Sequence, residues 1–248
     1  MAIPNYSGVR LSVIIPAYNE ELRLPRTLRA VIEYLKTQTY SSEIIVVNDG
    51  STDGTERIVH EQSSDAIPMR QFSHADGANH GKGAAVRKGM MEANGAFRLF
   101  MDADNSTTLD QVAGFWPLFD QGYGVVIGSR ALANSVIGVR QGKAKELAGR
   151  AGNWIIRMLA APGISDTQAG FKMFTAESAG VIFPRQTIER WGYDVELLVI
   201  ARSHGYRIAE VPITWINALG SKVTIKSYFQ VLSDIVKIRR NSRSGLYR

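Results

Sequence analysis

Phe97-Arg98-Leu99-Phe100-Met101-Asp102-Ala103-Asp104 is the stretch that decides the fold. Four large apolar residues in a run of five read as a buried strand, and the run stops at two carboxylates. Strands apolar on both faces belong to sheets covered on both sides, as in parallel α/β proteins. The carboxylates then stand at the carboxyl end of the strand, where such sheets bind ligands. Two carboxylates at i and i+2 can converge on one hard cation. Mg²⁺ and Mn²⁺ prefer oxygen ligands and keep positions open for substrate phosphates. Alone the triplet is common by chance, so its meaning rests on its surroundings.

Upstream, strand-like and helix-like segments alternate. Leu11 to Pro16 is a short apolar run, followed by the helical pattern Leu24 to Lys36. Strand-like Glu43 to Asn48 precedes a helix over Thr55 to Glu61, and a weaker strand over Met69 to Ser73 precedes a helix over Lys82 to Glu92. Beyond Asp104 we expect a helix over Leu109 to Asp120 and a strand over Gly124 to Gly128. This alternation predicts an α/β fold with a mostly parallel central sheet flanked by helices. The later half is less regular. Lys145 to Leu159 is helical with an apolar face, Phe171 to Phe174 strand-like, and Val195 to His204 helical. Arg207 to Trp215 is one extended stretch interrupted by Pro212, and Ile225 to Arg240 is amphipathic and basic at its end. The tail Asn241 to Arg248 is expected to be flexible. No internal repeat or linker divides the chain, so 1–248 is expected to be a single domain.

The chain has 248 residues, 45% hydrophobic and 21% charged, which suits one soluble domain with a substantial core. It has no cysteine, so disulfides and thiolate metal sites are excluded. Its histidines (His60, His74, His80, His204) show no zinc-binding spacing. A formal charge of +6 favours acidic partners such as nucleotides, phosphates and anionic lipid. Met1 to Arg10 has no apolar segment typical of a signal peptide, and no 18-residue apolar stretch exists. The expected location is the cytoplasm, with contact at a membrane surface open. The sequon Asn105-Ser106-Thr107 is then accidental.

Several polar clusters follow the strands. Pro16-Ala17-Tyr18-Asn19-Glu20 comes after the first, with Pro16 ending the ladder. It is either an ordinary loop with a helix-entry carboxylate or a ligand contact. Asn48-Asp49-Gly50-Ser51-Thr52-Asp53-Gly54 comes after the second. Ser51, Thr52 or Asp53 can cap the next helix, and that role alone would account for Asp53. It does not account for Asp49, whose carboxylate at a cleft edge can accept the N–H of a uracil or guanine ring. Gly81-Lys82-Gly83 invites a phosphate-loop reading that fails, because Asp76 stands where glycine is needed and Gly83 where Ser or Thr is needed. A basic helix entrance near a diphosphate remains open, beside a plain solvated face.

Taken in order, V-I-I-P-A-Y-N-E, V-V-N-D-G-S-T-D-G-T, G-K-G-A-A-V-R-K-G and M-D-A-D resemble the inverting family 2 glycosyltransferases of GT-A fold. Gly128-Ser129-Arg130, Asp166 to Phe174, Glu189 to Glu196 and Gly220-Ser221-Lys222 are similar to dolichyl-phosphate β-glucosyltransferases, relatives of the dolichol-phosphate mannose synthases. The resemblance runs from about Leu11 to Ile235. It implies a Rossmann-like nucleotide-sugar-binding half over about 11–130 and an acceptor-binding half over about 131–235.

It further implies transfer of a hexose from a nucleotide donor to a polyprenyl or dolichyl phosphate, with UDP-glucose ahead of GDP-mannose. Pro16, Tyr18, Glu20, Asp49, Asp102, Ala103 and Asp104 would hold the nucleotide sugar, with Ser221 and Lys222 closing over the diphosphate. Asp102 and Asp104 would bind Mg²⁺ or Mn²⁺. Asp104 and Arg130 would be catalytic. Arg130, Lys172, Lys143 and Lys145 would meet the acceptor phosphate. Two departures stand out. Asn48 occupies the place of the usual first aspartate before Gly-Ser. Asn217 and Ala218 stand where the mannose branch tends to carry an arginine, which leans towards glucose.

The chemistry needs no general base. A phosphate monoester has a second pKa of about 6 and is mostly dianionic at pH 7. Asp194 and Glu196 are candidate partners of the basic groups, or simply a helix-start pair. Trp154, Ile155, Met158 and Leu159 are core residues or an interfacial membrane face, and Lys237, Arg239, Arg240, Arg243 and Arg248 form a basic end able to bind anionic lipid. Peripheral association with the inner face of the membrane is therefore expected. A nucleic-acid-binding protein would need a basic stripe with interleaved aromatics, which is missing. A nicotinamide enzyme would need G-x-G-x-x-G after the first strand, where Pro16 to Glu20 stand. A catalytically dead sugar-nucleotide sensor would not need Asp102, Asp104 and Arg130 intact.

Overall fold

Alternation between apolar strands and one-faced helices produces a sheet covered on both sides. The computed structural model describes residues 8–62, 66–138, 162–216 and 225–248. In chain order β1 (Leu11–Ala17), β2 (Ser42–Asn48), β3 (Met69–Ser73), β4 (Phe97–Met101), β5 (Val125–Ser129), β7 (Phe171–Thr175) and β8 (Ile208–Pro212) form one sheet. Its order is β3-β2-β1-β4-β7-β5-β8. Every pairing is parallel except those of β7, which runs against both β4 and β5. The short β6 (Val136–Ile137) and β9 (Thr214–Trp215) make a separate two-stranded ribbon.

The period-2 alternation of side chains divides the core. Leu11, Val13, Ile15, Leu99, Met101 and Met173 point to one face, under α1 (Leu24–Lys36) and α2 (Thr55–Glu61). Ile14, Ile45, Val47, Phe100 and Phe174 point to the other, under α3 (Lys82–Glu92). α3 lies close because it is small on its inner side. A Cβ on Gly89 would stand 2.5 Å from a methyl of Ile14 and 3.0 Å from one of Val47. α5 (Ala176–Ile182), α6 (Tyr193–Ser203) and α7 (Ile225–Arg243) complete that face.

Four expectations need correction. Leu109 to Asp120 is not one helix: a 3₁₀ turn over Leu109–Gly114 leads into the short α4 (Trp116–Asp120), with Pro117 in its first turn. Proline has no N–H to extend the earlier hydrogen-bonding pattern. Pro16 does not close β1. It stays in register with Val47, and the pairing with β4 stops earlier, at Ile14 opposite Phe100. Arg207 to Trp215 is split between the main sheet and the ribbon. The stretch Asn241 to Arg248 is not a loose tail: Tyr247 is 1% exposed, and α7 extends to Arg243. The helix expected over Lys145 to Leu159, with Trp154, Ile155, Met158 and Leu159, lies outside the described residues.

The reversed strand matters most for the site. Because β7 runs backwards between β4 and β5, its entry loop arrives at their carboxyl ends. Phe171 pairs with Met101 and Lys172 with Ile127. Asp166 to Gly170 are thereby delivered beside Asp102 and Arg130.

Candidate active site

The loops after β1 and β2 are knitted together before any ligand is considered. Asn19 N–H donates to Ser51 Oγ at 3.0 Å, and Thr52 N–H donates back to Asn19 Oδ1 at 2.8 Å. Glu21 N–H donates to Asp53, and Gly54 N–H to Glu21. Asp53 also accepts the Thr55 N–H at 3.0 Å from just before α2, whose N-cap position is Gly54. Glu20 is 8% exposed and forms a two-pronged ion pair with Arg23, both contacts at 2.7 Å. Tyr18 is exposed at the rim.

Asp49 is placed differently from a carboxylate waiting for a base. It is 3% exposed and accepts the Asn79 amide at 2.8 Å and the N–H groups of His80 and Gly81 at 2.9 Å each. It anchors the loop that leads into α3. Gly50 makes this approach possible, since a Cβ there would come within 2.7 Å of the Ala78–Asn79 backbone. His74 and His80 stack above it with ring centroids 4.3 Å apart. Asp76 pairs with His80 at 2.9 Å and raises its pKa, whereas burial, then His80 itself, lowers that of His74.

The carboxylates after β4 sit at the centre. Asp102 pairs with Lys82, the first residue of α3, at 2.5 Å. Desolvation works against the Lys82 ammonium, but Asp102, then Asp194 and Asp104, outweigh it and raise its pKa. The Asp102 carboxylate rests on the bare α-carbon of Gly170, where any Cβ would collide with it. Asp104 accepts the Ser106 N–H at 3.0 Å through one oxygen; the other has no partner among the described residues. The Ala103 carbonyl is taken by Thr27 Oγ1 at 2.7 Å.

Arg130 at the end of β5 is gripped by Asp166. Nε donates to Oδ2 at 2.7 Å and Nη2 to Oδ1 at 2.9 Å, while the Arg130 backbone N–H also donates to Oδ2 at 3.0 Å. Burial opposes both charges, yet each holds the other ionised: the Arg130 pKa is raised and that of Asp166 lowered. Nη1 has no partner among the described residues, the side chain is 32% exposed, and the guanidinium lies 5.6 Å from the Trp215 ring centre.

Lys172 corrects the sequence expectation. It was expected at the acceptor phosphate, but it is fully buried, with its ammonium against Asp194 and the Ala169 carbonyl and 5.4 Å from the Phe100 ring centre. Desolvation lowers its pKa despite Asp194. Asp194 is thus a partner of a basic group, as expected, whereas Glu196 instead binds Thr187, Ile188 and Tyr247. Ser221, Lys222, Lys143 and Lys145 lie outside the described residues.

The sequence model of "Glycosyl transferase family 2" matches residues 12–179. The chain belongs to that family. Among relatives of this glycosyltransferase, a dolichyl-phosphate beta-glucosyltransferase of Trichomonas vaginalis is 34% identical over 98% of the chain and 76% of its own length. The enzyme of that name from Dictyostelium discoideum is 35% identical over 97% and 77%, and the one from Homo sapiens 33% over 96% and 78%. Among solved structures, glucosyl-3-phosphoglycerate synthase from Mycobacterium tuberculosis, in complex with Mn²⁺, UDP and phosphoglyceric acid, superposes with a TM-score of 0.67. That match has 19% identity and covers 95% of this chain and 79% of the other. At that identity the likeness shows the fold alone, which is the GT-A type expected from the motifs.

Whether a divalent cation fits this glycosyltransferase is a question for its own residues. Asp102 and Asp104 supply hard oxygen donors two positions apart, and the glycine cradle under Asp102 holds one of them in place. Among the described residues no group of three or more His, Asp or Glu side chains could hold a metal by itself. Two carboxylates with the rest of the shell left to substrate oxygens and water is the usual arrangement for Mg²⁺. The residues fit such an ion.

Sequence reasoning left Lys82 undecided and gave no role to Gly170 or Trp215. Lys82 was findable: it opens the helix after β3, so it had to stand at the carboxyl edge of the sheet beside Asp102.

Proposed function

We propose that the enzyme transfers glucose from UDP-glucose to a polyprenyl or dolichyl phosphate, inverting the anomeric centre to give a β-linked product. The observation that carries this reading is the meeting of Asp102 and Asp104 with Lys82 and Arg130 at one sheet edge. Such a site suits two anionic phosphates, a leaving diphosphate and an attacking monoester. The relatives named dolichyl-phosphate beta-glucosyltransferase support the sugar and the lipid, and the fold neighbour holding UDP and Mn²⁺ supports the donor type.

The acceptor dianion attacks the anomeric carbon directly, so the protein has no proton to remove. Its task is to bring two anions together and hold them in line. Arg130, fixed by Asp166, turns Nη1 towards the acceptor phosphate as a charge-assisted donor. Lys82 moves from Asp102 to the diphosphate when the donor binds. Asp102 and Asp104 would hold a divalent ion, which when bound would neutralise charge on the departing diphosphate. Tyr18 and Glu20 line the nucleotide end, with Pro16 and Asp49 shaping the walls behind them. By the family resemblance alone, Ser221 and Lys222 are assigned to the diphosphate, and Lys143 and Lys145 to the acceptor phosphate.

The lipid must come from a bilayer. No helix of the described residues is long and apolar enough to cross one. α7 instead exposes Leu232, Val236, Arg239, Arg240 and Arg243, all at helical spacing. An apolar and basic stripe of this kind suits peripheral contact with an anionic inner leaflet.

The test is transfer of label from UDP-glucose or GDP-mannose to a short polyprenyl phosphate in detergent, with Mg²⁺, Mn²⁺ or EDTA. Metal-dependent lipid-phase label from UDP-glucose is the expected result. Label from GDP-mannose alone would overturn the donor assignment, and label undiminished in EDTA would overturn the metal.

A further inference from the structure

Glu196 is fully buried, yet no lysine or arginine pairs with it among the described residues. Four donors satisfy it instead. Oε1 accepts Tyr247 OH at 2.7 Å and Thr187 Oγ1 at 2.6 Å; Oε2 accepts the N–H groups of Thr187 at 3.0 Å and Ile188 at 2.8 Å. Tyr247 belongs to the C-terminal turn and is itself held by His204, whose Nε2 donates to its carbonyl at 2.6 Å. Asn241 spans Thr187 Oγ1 and Tyr247 OH at 3.3 Å each. The C-terminal turn therefore closes a latch on the start of the loop 186–192.

The other side of that loop is the seat of Lys82. The Glu189 carbonyl accepts the Ala84 N–H at 2.9 Å, and the Gln186 amide donates to the Gly83 carbonyl at 2.9 Å. The glycines flanking Lys82 leave no room for slack. A Cβ on Gly81 would stand 2.7 Å from Arg190 Cγ, and one on Gly83 would stand 2.8 Å from the Glu189 carbonyl oxygen. A third tie fixes the far end of the loop, where Gly192 N–H donates to Asp234 of α7 at 3.2 Å.

We propose that Tyr247 and Glu196 are positioning residues for Lys82. They hold the loop that fixes the first turn of α3, and so place the ammonium between Asp102 and the donor diphosphate. The inference rests on the donor-binding role given to Lys82 above. Removing the Tyr247 hydroxyl takes one of four donors from a buried carboxylate. The loop slackens, and the Ala84 N–H loses its firm partner while the core sheet stays as it is.

The test uses the full chain with Tyr247→Phe, Asn241→Ala, Lys82→Ala and the Tyr247→Phe/Lys82→Ala double variant. UDP affinity is measured with Mn²⁺ present, and amide exchange without ligand. Tyr247→Phe is expected to weaken UDP binding about three- to tenfold, but less than about twofold when Lys82 is already alanine. Equal weakening in both backgrounds would reduce the latch to a general stabiliser and sink the proposal. The Ala84 amide is expected to exchange about tenfold faster in both Tyr247→Phe and Asn241→Ala, with β1 and β2 unchanged. Unchanged exchange at Ala84 in both variants overturns the latch whatever UDP does. Failure of the unaltered chain to bind UDP would strike the donor reading, while the exchange result would still decide the latch.

Discussion

Replacing Gly170 by alanine separates the placement of Asp102 from the stability of the fold. The added methyl would fall on the Asp102 carboxylate, whose Cγ and both oxygens are the nearest atoms to it. Gly170 does not lie in the left-handed region, so alanine adds no backbone strain and the collision is the whole perturbation. Asp102 has somewhere to go, because its side chain is 34% exposed. Swinging away costs about 0.5–1.5 kcal/mol in rotamer energy and about 0.2–1 kcal/mol of a partly exposed ion pair with Lys82. Together that is about 2 kcal/mol, or a fall in Tm of about 4–8 °C for a chain of this size. Activity should suffer far more. A preorganised group withdrawn from the developing charge typically costs about 10²–10³ in turnover. The assay is glucosyl transfer at saturating Mn²⁺ beside a thermal melt. Gly180→Ala is the control, since nothing lies within 4 Å of the added methyl inside α5. It should gain up to about 1 kcal/mol and keep full turnover. Full turnover in Gly170→Ala would refute the argument that Asp102 must sit where the glycine puts it. Loss of folding would refute the claim that the carboxylate can swing away cheaply.

Lys172→Ala should destabilise the chain by about 3–5 kcal/mol by stranding the buried Asp194, and Lys172→Met with Asp194→Leu should recover most of it; urea unfolding decides, and a neutral single variant would contradict the buried pair. Arg130→Lys keeps the charge but loses the fork on Asp166, so the KM for the acceptor phosphate should rise about tenfold while the KM for UDP-glucose stays put in steady-state kinetics. UDP affinity should fall as pH drops from 7.5 to 5.5. Burial and His80 hold the His74 pKa below its ordinary value, so its stabilising contribution is full above about pH 6.5 and is lost as pH falls through the folded pKa. Asp76 raises the His80 pKa, so that ring's contribution is full below about pH 6.5 and fades as pH rises through its folded pKa. To the extent that both rings take up protons they repel across the stack despite Asp49 and Asp76, with Lys88 adding to the repulsion and Glu189 opposing it. A flat binding titration over that range would contradict this account.

The first half of the fold was legible because its signals are local. The helices Leu24–Lys36, Thr55–Glu61 and Lys82–Glu92 and the strand Phe97–Met101 stand where hydrophobic periodicity put them. The second half depends on contacts that periodicity does not encode. Nothing within Phe171–Thr175 tells that the strand runs backwards in mid-sheet, although alternation alone sets Lys172 on the Phe174 face, away from Phe171 and Met173. That alternation was a missed sign that Lys172 faces the core. Five polar or basic residues in the last eight suggest a loose tail, but Asn241 and Tyr247 are buried and dock it. Asp102, Asp104 and Arg130 could be placed at the sheet edge from strand ends. What each touches, Lys82, Gly170 and Asp166 above all, needed the three-dimensional fold.

The reversed strand also governs how the chain can be cut and made. β5 hydrogen-bonds to β7 and β8 but not to β4. Without β7 the sheet falls into two pieces, β3-β2-β1-β4 and β5-β8, and β4 becomes a bare, apolar edge. The halves on either side of residue 130 are therefore not separable units, whatever their division of labour. A ribosome adding about 5–20 residues per second leaves that edge open for several seconds until β7 emerges. During that interval the strand that will carry Asp102 and Asp104 is an open edge prone to pair with another chain.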